Sequence, residues 1–173
     1  MKLFGPTKTS PRLERLHQLS LFVNLTPAEL RIVDGLLHER SFLAGEIIFD
    51  EGEEGQAIYI IDEGEVLISR AGNGETQDGE GQPRRRQSDS GRVAQLSPGT
   101  FFGELALLDN SPRSAQARAA SACRLIVFFR DDFVGLLDTH ARIASKISRQ
   151  LAIHLGARMR SMAQAMGNHQ HAV

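Results

Sequence analysis

Apolar positions in the first forty residues recur at helical spacing. Leu13, Leu16 and Leu19 follow Pro11, which suits a first helical turn. Thr26, Pro27 and Glu29 make a capping box that starts a second helix, with Leu30, Val33, Leu36 and Leu37 as its apolar face. From about Ser41 the rhythm changes to short β-type runs: Ile47–Phe49, Ile58–Ile61, Val66–Ile68, Val93–Leu96 and Leu125–Phe129. Turn signals separate them at Ala44-Gly45, Glu51-Gly52, Glu63-Gly64 and Pro98-Gly99. Short strands at such spacing predict a sandwich, jelly roll or small barrel. After Phe129 the pattern is helical again. Asp131 and Asp132 suit a helix N-terminus, and Phe133, Leu136 and Leu137 supply its apolar side. A last helix is predicted from about Ala141 to Met166, with Ile143, Ile147, Leu151, Leu155 and Met159 in one stripe that Met162 and Met166 continue. Helices at both ends of a β core make the class α+β.

This pattern divides the chain into a leader with a short helix (1–19), a β region (20–130), C-terminal helices (131–166) and a frayed tail (167–173). Residues 71–92 are rich in Gly and charge without apolar periodicity, so they read as an elongated, mobile hairpin loop. Within it, Arg84-Arg85-Arg86 before Ser88 resembles a basophilic kinase site, although a solvated charge run is the plainer reading.

Composition narrows the function. The chain has 173 residues, a net charge of −1 and one cysteine, Cys123. That excludes an intramolecular disulfide, a four-thiolate zinc site and an iron–sulfur cage. No Trp and 6% aromatics argue against a stacking platform for nucleic acid. The longest strongly apolar run, Leu125 to Phe129, is too short for a membrane span. With no signal-like apolar core at the N-terminus, a cytoplasmic protein is expected. The small net charge conceals an asymmetry. Residues 1–70 carry seven basic and twelve acidic side chains, whereas residues 94–173 carry nine basic and five acidic. The charges of the last predicted helix, Arg142, Lys146, Arg149, Arg158 and Arg160, are all basic. His17, His38, His140 and His154 lack metal-ligand spacing, and no metal site is expected. Cys123 falls in a strand-like run and is expected to be a small buried side chain.

The stretch Leu96 to Ala120, LSPGTFFGELALLDNSPRSAQARAA, has the parts of an anion site. Gly103 permits close backbone approach. Glu104 to Leu108 favours one helical turn whose free N–H groups would face a phosphate. Arg113 brings a fork-shaped cation, and Ser114 adds a hydroxyl. Glu104 is acceptor-only, which suits a sugar hydroxyl. One acid and one arginine flanking a turn suggest a ligand with both a sugar and a phosphate. Leu105, Leu107 and Leu108 are expected in the core, and Gly45, Gly64 and Gly99 at turns.

Phe102, Gly103, Glu104, Ala106, Leu107, Pro112, Arg113, Ser114 and Ala115 resemble the phosphate-binding cassette of cyclic nucleotide-binding domains, of the catabolite-activator and protein kinase A regulatory-subunit type. Ala44-Gly45-Glu46, Glu51-Gly52-Glu53, Tyr59-Ile60-Ile61, Gly64-Glu65-Val66, Leu96-Ser97-Pro98-Gly99 and Cys123 to Val127 continue the likeness, which covers about residues 20–165. The resemblance implies an eight-stranded β-roll (jelly roll) flanked by N-terminal helices and a C-terminal lid helix pair. It implies that Glu104 takes the ribose 2′-hydroxyl and Arg113 the exocyclic phosphate oxygens. Backbone N–H groups of Gly103, Ala106 and Ser114 would complete the cradle, with Leu105 and Ala115 beside the ligand. Gln116, Ile147 and Leu151 are candidate base contacts. In the family, Thr directly after the arginine favours cGMP and Ala goes with cAMP. Ser114 resembles bacterial cAMP binders, so cAMP is the expected ligand and cGMP the alternative.

With no nucleophile–base pair in the sequence, the expectation is a regulatory sensor with no catalytic residues and no cofactor beyond its ligand. It would signal by moving the C-terminal helix. Too few residues follow that helix for a helix-turn-helix output domain, so direct DNA binding is not expected. An unidentified protein partner would receive the signal. The 4-3-4 spacing of Leu155, Met159, Met162 and Met166 also fits homodimerisation. The competing readings are a nucleotide-independent interaction module and, more remotely, a jelly-roll enzyme.

Overall fold

The computed structural model describes residues 10–70 and 91–169, with no side-chain description for residues 92, 93 and 165–169. The candidate phosphorylation motif and most of the predicted loop lie outside the described residues. The chain forms two compact units: residues 37–130 make one, and residues 1–36 with 131–173 make the other. Residues 20–36 therefore group with the C-terminal helices, whereas the predicted division put them with the β region.

The helical unit holds α1 (Pro11–Gln18), α2 (Pro27–Asp34), α4 (Arg130–Thr139) and α5 (Ala141–His169). Ser10 caps α1, with its side chain accepting from the Leu13 N–H. The Thr26–Glu29 capping box forms as predicted, with both reciprocal hydrogen bonds present. However, α2 ends at Asp34, and Leu37 already belongs to a strand, so Leu36 and Leu37 do not extend its face. Glu29 has a second task. Its Oε2 accepts from the Thr26 N–H at 2.7 Å and from Lys146 Nζ of α5 at 2.6 Å. Those bonds hold the Glu29 carboxyl down at about 2, the Lys146 contact contributing most.

The β unit contains eight strands: β1 (Leu37–Phe42), β2 (Ile47–Phe49), β3 (Ala57–Glu63), β4 (Val66–Ser69), β5 (Arg92–Leu96), β6 (Phe101–Phe102), β7 (Gln116–Ala119) and β8 (Cys123–Phe129). A single helical turn, α3 (Leu105–Leu108), lies between β6 and β7. The strands form two four-stranded antiparallel sheets, ordered β1-β8-β3-β6 and β2-β7-β4-β5. Phe49, Val66, Ala117 and Ala119 from one sheet and Ile61, Phe102, Cys123 and Leu125 from the other form a single buried cluster. The sheets thus pack face to face in a roll, and Cys123 is a core residue as its surroundings in the sequence implied. β4 and β5 pair directly, and Arg70 donates its N–H to the Gly91 carbonyl at 3.3 Å. The flanks of the predicted hairpin therefore meet as expected, although Arg92 belongs to β5 and not to the loop. Gly45, Gly64 and Gly99 sit at turns with positive φ.

The β region starts four residues before the predicted Ser41. β1 reads LHERSF with an almost wholly exposed pattern, so it carries no alternating apolar signal. Its pairing with β8, Leu37 opposite Phe128 to Phe42 opposite Cys123, makes it a strand. β6 and β7 are similarly silent in the sequence: one has two residues, and the other, QARA, fills its buried positions with alanine.

A phosphate-binding cassette built around a buried arginine

The cassette runs from β6 through α3 to the start of β7. Gly103 has φ +73, a left-handed conformation that a side chain rarely adopts. Space makes the same demand, because a Cβ there would lie 2.5 Å from Arg113 Nη1. Glu104 and Arg113 are the two buried charged residues among those described, at 2% and 8% exposure.

Arg113 is held from several directions. Nη1 donates to the Gly103 carbonyl at 3.2 Å and Nη2 to the Ala57 carbonyl at 2.9 Å. The guanidinium carbon stands 4.1 Å from the centroid of the Phe49 ring and 5.6 Å from that of Tyr59. Nε is buried with no hydrogen-bond partner among the described residues. Burial pushes the guanidinium pKa below its usual value, while Tyr59, Glu53 and Glu104 pull it back up in part. The arginine still remains charged at any ordinary pH.

Main-chain bonds anchor the segment that carries it. The Arg113 N–H donates to the Glu53 carbonyl at 2.7 Å, and the Gly52 N–H donates to the Arg113 carbonyl at 2.9 Å. Glu54 and Pro112 form an isolated antiparallel bridge. The turn after β2 and the arm before β7 are thus stitched together by backbone. Gly55 in that turn approaches closely: a Cβ on it would lie 2.9 Å from the Ala106 Cβ and 3.5 Å from the Arg113 guanidinium carbon.

The structure brings Gly103, Ala106 and Arg113 together, with Glu104 within electrostatic reach of the guanidinium. Ala106 and Ala115 are buried. Ser114 is exposed, and its carbonyl accepts from Arg70 Nε at 3.1 Å. Three expectations change. Leu107 is buried, but Leu105 and Leu108 are 41% and 48% exposed, because one turn of helix has room to bury only one side. The Ala106 N–H donates to the Gly103 carbonyl at 3.2 Å and is therefore engaged within the turn. The Gln116 amide donates to Asp50 Oδ1, and its oxygen accepts from Arg118 Nη2 at 3.4 Å, so this side chain is tied between the residue after β2 and β7. Ile147 and Leu151 are buried residues of α5 in the helical unit. Phe49, Gly55 and Ala57 are site residues that sequence reasoning did not identify. The signal that could have found Gly55 is the Glu51 to Gly55 glycine pair upstream of β3.

Fold and cassette define a β-roll of the nucleotide-regulated class. The chain belongs to the cyclic nucleotide-binding domain family, whose profile matches residues 39–140. It is 33% identical over 135 residues to the cyclic AMP receptor protein of Thermus thermophilus, covering 78% of this chain and 56% of that protein. It is 30% identical over 140 residues to a cAMP-dependent protein kinase regulatory subunit of Mycosarcoma maydis, covering 78% of this chain and 24% of the relative. The crystal structure of the Thermus thermophilus catabolite activator protein superposes with a TM-score of 0.69 at 31% identity, covering 87% of this chain and 63% of that one. The chain thus spans about half or less of the length of these curated relatives. Their family is one of regulatory ligand-binding domains. Among the described residues, no helix is long and apolar enough to cross a membrane, and no cluster of His, Cys, Asp or Glu could hold a metal ion.

Proposed function

We propose that this chain is a cyclic nucleotide sensor without catalysis of its own, and that cAMP is its preferred ligand. One observation carries the reading: the buried Arg113 guanidinium keeps an Nε–H with no partner among the described residues. A buried donor without an acceptor is costly, and an anion supplies both acceptor and countercharge. Glu104, buried beside it, is acceptor-only and suits the ribose 2′-hydroxyl. Gly103 lets the Arg113 guanidinium lie against the backbone, and the exposed Ser114 follows directly after the arginine. The preference for cAMP draws support from two relatives, one named a cyclic AMP receptor protein and one a cAMP-dependent protein kinase regulatory subunit, whereas another, 30% identical, is named a cGMP-dependent protein kinase.

Calorimetric titration with cAMP and cGMP tests this reading. Tighter binding of cAMP is expected, and a reversed order replaces it with cGMP. No heat with either ligand leaves the nucleotide-independent interaction module.

The output in this proposal is movement of α5 toward an unidentified protein partner in the cytoplasm. A homodimer through α5 draws on one further observation. Residues 157–164 are exposed throughout, including Met159 at 71% and Met162 at 57%, so these two positions of the seam are uncovered. Sedimentation over a concentration series tests it, and a strict monomer with and without cAMP rejects it.

A further inference from the structure

We infer that Phe49 is a positioning residue that locks Arg113 before any ligand arrives, and that the Arg113 Nε–H is the donor reserved for the anion. The second half rests on the cyclic nucleotide reading; the first does not.

Arginine has five N–H donors in a rigid fork. Two of them, one on each terminal nitrogen, are committed to the Gly103 and Ala57 carbonyls. These carbonyls belong to different segments, the start of the cassette and the start of β3. The guanidinium plane is thereby pinned at its Nη1–Nη2 end. The Phe49 ring, 4.1 Å from the guanidinium carbon, closes one face. Of the three N–H groups left over, the one on Nε belongs to the nitrogen that is buried and has no partner among the described residues.

Phe49 is itself fixed. It is the last residue of β2 and sits opposite Ala117 of β7, with a register irregularity between Ile47 and Phe49. Such irregularities re-aim a side chain. Its ring packs at 5.6 Å on Tyr59 and 5.8 Å on Phe102, and those two rings stack on each other at 5.5 Å. Three aromatic rings therefore form a wall, and the Arg113 guanidinium lies against Phe49 with Tyr59 beside it. The direct hydrogen-bond partners of the guanidinium are two carbonyls and its face rests on a ring, while Glu53 and Glu104 act on it electrostatically. An arginine already ordered loses less side-chain freedom on binding, so the wall raises affinity without touching the ligand.

The test is nitrogen-resolved NMR of the arginine Nε–H groups in the intact chain, alongside calorimetry with cAMP. In the wild type, the Arg113 Nε–H is expected to exchange slowly with water and to shift on adding cAMP. Phe49→Leu keeps an apolar residue but removes the ring face. It is expected to speed that exchange at least about tenfold and to weaken cAMP binding about 5- to 20-fold. Phe49→Tyr is expected to restore both. Phe128→Leu removes a ring from a fully buried site away from the wall and is expected to change neither. Should Phe49→Leu not fold, Phe49→Met makes the same comparison. An Arg113 Nε–H still protected in the folded leucine or methionine variant overturns the positioning role. An Nε–H unmoved at saturating cAMP, while other resonances shift, overturns the donor assignment. If no wild-type resonance responds to cAMP, the nucleotide reading fails, while exchange in the free protein still decides the role of Phe49.

Discussion

Arg124 and Arg113 belong to the same β unit and are bound in opposite ways. Arg124, near the start of β8, donates Nε to Asp62 at 2.7 Å and Nη2 to Glu63 at 2.6 Å. Those carboxylates, Asp62 foremost, raise its pKa at the surface. Arg113 is buried and rests on two carbonyls and a ring, and its desolvation moves the pKa down. Both arrangements hold a guanidinium in one place. Only the first also cancels its charge. An arginine serving the fold can be given its countercharge by the chain, whereas one serving an anion has to be held by groups that leave the charge in force.

The largest expected effect separates the two arginines. Arg113→Leu should lower cAMP affinity by ~30-fold to several thousandfold, the range for removing one partner of a buried charge pair. Arg124→Leu should change it by less than about twofold, because Arg124 is bound to Asp62 and Glu63 and not to residues of the cassette. Calorimetry on both variants measures the contrast, and equal losses would erase it. Next comes Gly103→Ala. Its Cβ would meet Arg113 Nη1 at 2.5 Å from a backbone at φ +73. A loss of ~1–3 kcal/mol in stability is expected from the strain, together with at least about tenfold in affinity. Glu104→Ala should have a smaller effect on affinity, about tenfold, by removing one sugar contact. Denaturant melts beside the titrations distinguish strain from lost contact.

A third charge pair, Glu29 with Lys146, gives the smallest effect and lies in the helical unit. The Glu29 carboxyl sits at about 2 in the folded chain, against an ordinary 4.5. Protonation is therefore harder in the folded state. The pair's stabilisation is complete above about pH 4.5 and is lost as the pH falls toward 2. Surface screening limits it to ~1 kcal/mol. Glu29→Gln should flatten that acid limb in a pH series of thermal melts. An unchanged limb would mean that other carboxylates set it.

Much of this was legible in the sequence because the cassette is local. Gly103, Glu104, Arg113 and Ser114 lie within one short stretch, and their residue types alone imply an anion and a hydroxyl. The wall behind Arg113 was not legible. Phe49 and Ala57 reach it from β2 and β3, and nothing in a linear pattern states that two distant strands meet at one guanidinium. The missed strands have a related cause. β1 and β7 are strands because of their neighbours, Phe128 and Val127 in one case and Val66 and Leu67 in the other. Leu105 and Leu108 were misjudged because a single turn is too short for periodicity to show which side is covered.

The backbone stitching between Gly52, Glu53 and Glu54 on one side and Pro112 and Arg113 on the other uses main-chain atoms. Apart from proline, which has no N–H to give, any residue type can supply such bonds. Over generations the side chains at 53 and 54 are therefore freer to drift than the length of the turn, while Gly52, at positive φ, and Gly55, packed against Ala106, are not. Adding or removing one residue between Asp50 and Gln56 would slide the N–H of position 52 and the carbonyl of position 53 away from their partners and turn Arg113 away from its wall. Insertions and deletions in this turn, more than substitutions, are the changes that descendants of this sequence should avoid.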